Sequence, residues 1–179
     1  MADRTLDGLR ACITSLNTIV GPAVERAGDT LAREQVALMA KYLGFLTDRL
    51  DYAEDRSRFE LGAYADMADA VCDCLKGAGI GDDALETRRL RAREILNGGA
   101  ATKRDVETAS GELQAAVSRV VRALGEQNHP IRPEVDRIVI KASIPVVSLQ
   151  RAWFAPQAWE ADAVTVPDID EVLGPARRL

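Results

Sequence analysis

The stretch TKRDVETASGELQAAVSRVVRAL, residues 102–124, carries Val106, Ala109, Leu113, Val117, Val120 and Leu124 at steps of three and four. That spacing keeps six small or branched apolar side chains on one face of an α-helix. Thr102, with Asp105 three residues on, has the pattern of an N-terminal cap. Side-chain oxygens there take up backbone N–H groups that the first turn leaves unpaired. Such a helix is not stable alone, so its stripe must bury against neighbours.

The rest of the chain repeats this design. Leu6, Leu9, Ile13, Leu16 and Val20 mark a helix over residues 3 to about 20, and Gly21-Pro22 predicts a break or kink after it. A helix over Thr30 to Ala53 has the stripe Val36, Met39, Leu43, Leu46, Leu50 and Ala53, widened by Leu31, Leu38, Tyr42, Phe45 and Tyr52. A stripe that wide predicts contact with two or more neighbours. The surface becomes heavily charged from Asp48 to Glu60, which predicts a corner near Glu54 to Ser57.

A third helix through Leu61, Tyr64, Ala68, Val71 and Leu75 should stop at Lys76-Gly77. Asp82 or Asp83 should cap a fourth, which runs to Leu96 and is stopped by Asn97-Gly98-Gly99. Asn128 to Pro133 reads as a loop, because each proline biases its predecessor away from helix. The β-branched run Ile138-Val139-Ile140 suits a strand. Yet Ile131, Val135, Ile138, Ala142, Leu149 and Trp153 fall near helical spacing, so a helix kinked at Pro145 is expected. A short helical turn at Asp168 to Leu173 follows. The expectation is an all-α single bundle over residues 1–153, of five or six mostly antiparallel helices. An irregular tail, 154–179, would be strapped on by Trp153, Phe154, Trp159, Val164 and Val166.

Composition agrees with that class. The chain has 179 residues, 47% of them hydrophobic, 28 alanines and only 4% aromatics, so the core should be aliphatic with helices close together. A net charge of −5 argues against nucleic-acid partners, which need basic surface. No unbroken run of 18 apolar residues occurs, so no membrane span is expected. The first residues, MADRTLDGLRAC, lack an apolar signal core. Cys12, Cys72 and Cys74 are odd in number, and the last two point about 200° apart on a helix, so reduced thiols and a cytoplasmic location are expected.

Chemical motifs are scarce. Glu126-Gln127-Asn128-His129 has the Glu-x-x-His spacing of carboxylate-bridged metal sites, but His129 is the only histidine and precedes a proline. The same scarcity argues against a histidine-dependent nucleophile, and the three cysteines lack zinc spacing. No catalytic residue, metal or cofactor is therefore expected. Gly77-Ala78-Gly79-Ile80-Gly81 lacks the preceding strand and following lysine of a phosphate loop, so it reads as a helix terminator.

Two charged features remain. Residues 48–73 hold eight acids and three arginines, with Asp66, Asp69 and Asp73 on one helix face. Arg88, Arg89, Arg91 and Arg93 spread around the next helix, and pairing with the acidic quarter is their expected role. Should a small ligand bind instead, Arg88, Arg89, Arg91, Tyr42, Tyr64 and His129 are the candidates to orient it.

The segments Val20-Gly21-Pro22-Ala23-Val24, Leu31-Ala32-Arg33-Glu34-Gln35-Val36 and Leu43-Gly44-Phe45-Leu46 resemble a loose group of uncharacterised small all-helical bacterial proteins. These are encoded beside aminoglycoside-phosphotransferase-like kinases and acyl-CoA dehydrogenases. The resemblance spans about 30 residues and transfers no catalytic residue. It implies an accessory protein for a kinase-like partner in small-molecule catabolism. The residues themselves lead to a non-catalytic interaction subunit, with a protein partner or self-association. The alternative is a helical protein holding a small ligand in its core.

Overall fold

Capping and stripe signals are realised locally almost everywhere they occur. The computed structural model describes residues 4–158 and 165–174, and every regular element among them is helical. The fold is all-α. Backbone packing divides the chain into two compact units, one up to Ala53 and one from Glu54 onward.

The first unit contains α1 (Arg4–Ser15), a π-helical turn (Leu16–Val20), α2 (Gly21–Ala27), α3 (Thr30–Arg49) and a 3-10 turn (Leu50–Tyr52). The break expected at Gly21-Pro22 takes the form of that π turn, since proline has no N–H for the regular ladder. Gly21 donates its N–H to the Leu16 carbonyl, and a Cβ at Gly21 would stand 3.0 Å from that same oxygen. Only glycine fits without a shift. Gly28, at φ 72°, then ends α2, and the Asp29 carboxylate accepts the Ala32 N–H at 2.9 Å to start α3. Helix α3 packs on α1, the π turn and α2.

The second unit is built from α4 (Ala53–Gly77), α5 (Asp83–Asn97), α6 (Lys103–Glu126), α7 (Arg132–Phe154) and the short α8 (Ile169–Leu173). The corner expected near Glu54 to Ser57 is not there, since residues 54–57 are already inside α4, which follows the 3-10 turn directly. Glu54 and Asp55 favour a helix N-terminus, and the i,i+4 pairs Arg58–Glu54 and Arg56–Glu60 hold the turns together. Dense charge of alternating sign strengthens this helix rather than breaking it.

Helix α4 closes with Gly79 at φ 73° while the Ile80 N–H reaches back to the Leu75 carbonyl at 2.9 Å. This is a Schellman ending, and Ile80 adds its side chain to the core. Asp82 caps α5 through the Leu85 N–H at 2.7 Å. Thr102 and Asp105 form the reciprocal cap of α6 expected from the sequence. The turn before α7 is shorter than predicted, because Pro133 sits in the first helical turn, where its missing N–H costs nothing. The β-branched stretch through Pro145 belongs to α7 and is helix, not strand.

Ion pairs fix the register of the helices around α5. Asp66 and Asp69 meet Arg93 and Arg89, while Lys76 lies 3.5 Å from Glu86, so α4 and α5 run antiparallel. Arg119–Asp82 and Arg91–Glu112 establish the same for α5 and α6. Between these helices lies a core of Leu61, Ala65, Val71 and Leu75 from α4, Leu85 and Ala92 from α5, and the six residues of the α6 stripe. Val135 of α7 joins them. Alanines at 65, 68, 92, 109 and 116 let the backbones approach. Ile169 and Leu173 bury α8, which packs on α7, whereas Trp159 and Val164 of the expected strap lie outside the described residues.

Length and composition alone would let Arg132–Gln157 cross a membrane, although no unbroken apolar run of 18 is present. Its most apolar window is 22% buried, and along the helix Val135 and Leu149 are fully buried while Ile140, Ile144 and Val147 stand exposed.

Candidate association surfaces

Helix α3 alternates steps of four and three through Leu31, Gln35, Leu38, Tyr42, Phe45 and Arg49, which places these six on one face. Burial along this face is uneven. Leu31 is 67% exposed, Leu38 58% and Tyr42 53%, whereas Phe45 and Arg49 are buried. Tyr42 leans on Phe45 with ring centroids 5.8 Å apart. The other side of α3, with Val36, Leu43 and Leu46 half-buried, belongs to the packing of its own unit.

Helix α7 has a second open stripe. Ile140, Ile144 and Val147 are exposed at spacings of four and three, opposite the side that buries Val135, Val146 and Leu149. Ile138, Val139 and Ala142 are half-buried on the core side. Arg137 and Lys141 on one flank, and Asp136 and Gln150 on the other, separate the open stripe from the core side. The width of the α3 stripe predicted two or more neighbours, but not which of its residues stay open, and the open stripe of α7 was not foreseen. The signal was present, since both helices carry more apolar side chains than one neighbour covers.

The charged helices behave differently, because their side chains satisfy one another. Arg89 donates to Glu86 at 2.6 Å and to Asp69 at 2.7 Å, and Arg93 bridges Asp66 and Asp69. Hydrogen bonding from Arg89 pulls Glu86 down to about 2, against partial burial and helped by Cys72 and Lys76. At Asp69 burial pushes the carboxyl up, but Arg93 and Arg89 outweigh it and hold the group below its ordinary value. Burial, reinforced by the hydrogen bond to Glu86, raises Cys72 to about 11. These groups form a structural seam that keeps α4 against α5.

The six ligand candidates do not form one charged cluster. Arg89 is committed to carboxylates, and Arg88 donates to the Ala84 carbonyl of its own helix at 2.9 Å. Arg91 faces Glu112 of α6 at 3.9 Å. Tyr64 is half-buried on α4, where burial and Glu60 raise its hydroxyl against the opposing Arg56. His129 lies in the turn before α7, and its Nδ1 accepts the Ile131 N–H at 3.3 Å. Tyr42 lies on the open face of α3. Among the described residues no group of three His, Cys, Asp or Glu side chains is arranged to hold a metal ion. The cysteines are free, with Cys72 buried, Cys74 partly so and Cys12 exposed.

No family model, curated protein or solved structure matches this chain.

Proposed function

We propose that this chain is a non-catalytic interaction subunit that works by burying helix faces against protein surfaces. One observation carries the reading: Leu31, Leu38, Met39 and Tyr42 stand in solvent on α3, a helix whose next turn buries Phe45. Large apolar side chains repeated along one face mark an association site more often than an isolated exposed leucine does. The polar residues support the same reading, since the arginines and acids of α4 and α5 are consumed by each other. The kinase-like partner implied by the resemblance is the first to test.

The experiment compares the wild-type chain with Leu38→Asp and Ile144→Asp, both at exposed positions where the fold should tolerate a charge. Copurification with the kinase-like protein, or self-association by light scattering, should be lost in at least one variant while helicity is kept. If both variants associate like the wild type, the reading fails. It also fails in favour of a ligand-binding protein if one acyl or phosphorylated metabolite raises the melting temperature of a wild type that associates with nothing.

A further inference from the structure

From the charge pattern beside the open face of α3, we propose that the occupant of this face is a second copy of the chain, laid antiparallel about a two-fold axis. The inference rests on the interaction reading above and names its partner. In heptad terms Leu31, Leu38 and Phe45 occupy d and Gln35, Tyr42 and Arg49 occupy a. The residues just before each a position, which flank the face on one side, are Glu34, Lys41 and Asp48, alternating in sign. On the other flank stand Ala32, Met39 and Leu46, all apolar.

An antiparallel pairing stacks a on d. Leu31 then meets Tyr42 of the second copy and Leu38 meets Gln35, each twice by symmetry. In that register Glu34 falls opposite Lys41 of the second copy, and Lys41 opposite Glu34. Two reciprocal ion pairs close one flank, while Met39 against Ala32 closes the other. A parallel pairing instead sets Glu34 beside Met39 and Lys41 beside Leu46, with no charge partner at all. The pattern therefore selects one orientation as well as one partner.

Two further facts agree. Glu34 and Lys41 are exposed and make no ion pair among the described residues, although the second unit is laced with such pairs. Residues 1–53 hold seven acids and six bases, so two copies meet without the repulsion expected of the acidic remainder.

The test is sedimentation velocity on the full chain over a concentration series, with wild type, E34K, K41E and the double swap E34K/K41E. The wild type should dimerise, each single reversal should weaken the dimer about tenfold or more, and the double swap should restore it to within about threefold. Circular dichroism confirms that each variant keeps its helices. A monomeric wild type overturns the proposal, as does a dimer indifferent to the single reversals or one that the double swap leaves broken. A wild type that is monomeric alone, yet loses the kinase-like partner on Leu38→Asp, overturns self-pairing while the interaction reading stands.

Discussion

From Glu54 onward, the long helices turn their stripes inward until whole leucines vanish from solvent, as Leu61, Leu85, Leu113 and Leu149 do. Up to Ala53, helices of similar composition bury only Phe45 and Arg49, and the remaining apolar side chains stay half-covered or open. The difference does not come from hydrophobic content. In the second unit the stripes of α4, α5 and α6 meet in one core where small residues draw the backbones together, and among the described residues only α7 leaves an apolar stripe, Ile140, Ile144 and Val147, in solvent. In the first, α3 carries two apolar faces and its own unit occupies one. One unit closes most of its apolar surface on itself, and the other leaves a face of α3 open.

That contrast breaks most visibly in the core. Leu113→Ala should remove about 3 kcal/mol of stability through the cavity it leaves, lowering the melting temperature by roughly 10 °C. Calorimetry showing a negligible change would mean that the α6 stripe is not the interior described above. The seam between α4 and α5 sharpens the comparison through pH. Glu86 at about 2 and the depressed Asp69 stay ionised in the fold, whereas the same groups unfolded take up protons near the ordinary carboxylate values of about 4. Their contribution is complete above those values and is lost as pH falls toward about 2. Urea midpoints should therefore decline below the ordinary carboxylate range, and less steeply in Arg89→Met, which removes the cause of the depression. Equal slopes would show that the seam does not couple to folding. The smallest effect belongs to the open face, where Leu38→Ala in dilute solution should change stability by less than about 0.5 kcal/mol. A loss like that of Leu113→Ala would place Leu38 in a core and remove the distinction between the two units.

Local signals in the sequence carried most of the fold. The Thr102–Asp105 cap, the Asp82 cap, the Lys76-Gly77 ending and the α6 stripe depend on neighbours within a turn or two, and each stands where its residues place it. The corner predicted near Glu54 to Ser57 is the clear misreading, because dense charge marks no break where the charges pair along one helix. The pairing expected between the arginines of residues 88–93 and the acidic quarter is present at Arg89 and Arg93. Arg56, Arg58 and Arg89 find carboxylates three or four residues away on their own helices, which spacing could have shown. That Arg89 and Arg93 share Asp69 across the helix pair is a detail no local pattern shows. The openness of Leu31 and Leu38 was likewise hidden, because a stripe records which side chains want cover and not how many neighbours arrive.

The thiol of Cys72 has a practical consequence. Buried and hydrogen-bonded to Glu86, it is held protonated, so electrophiles should react with it slowly while α4 and α5 stay together. Its alkylation rate therefore acts as a native clock for the parting of those two helices. Exposed Cys12, on α1, supplies the unprotected reference in the same molecule.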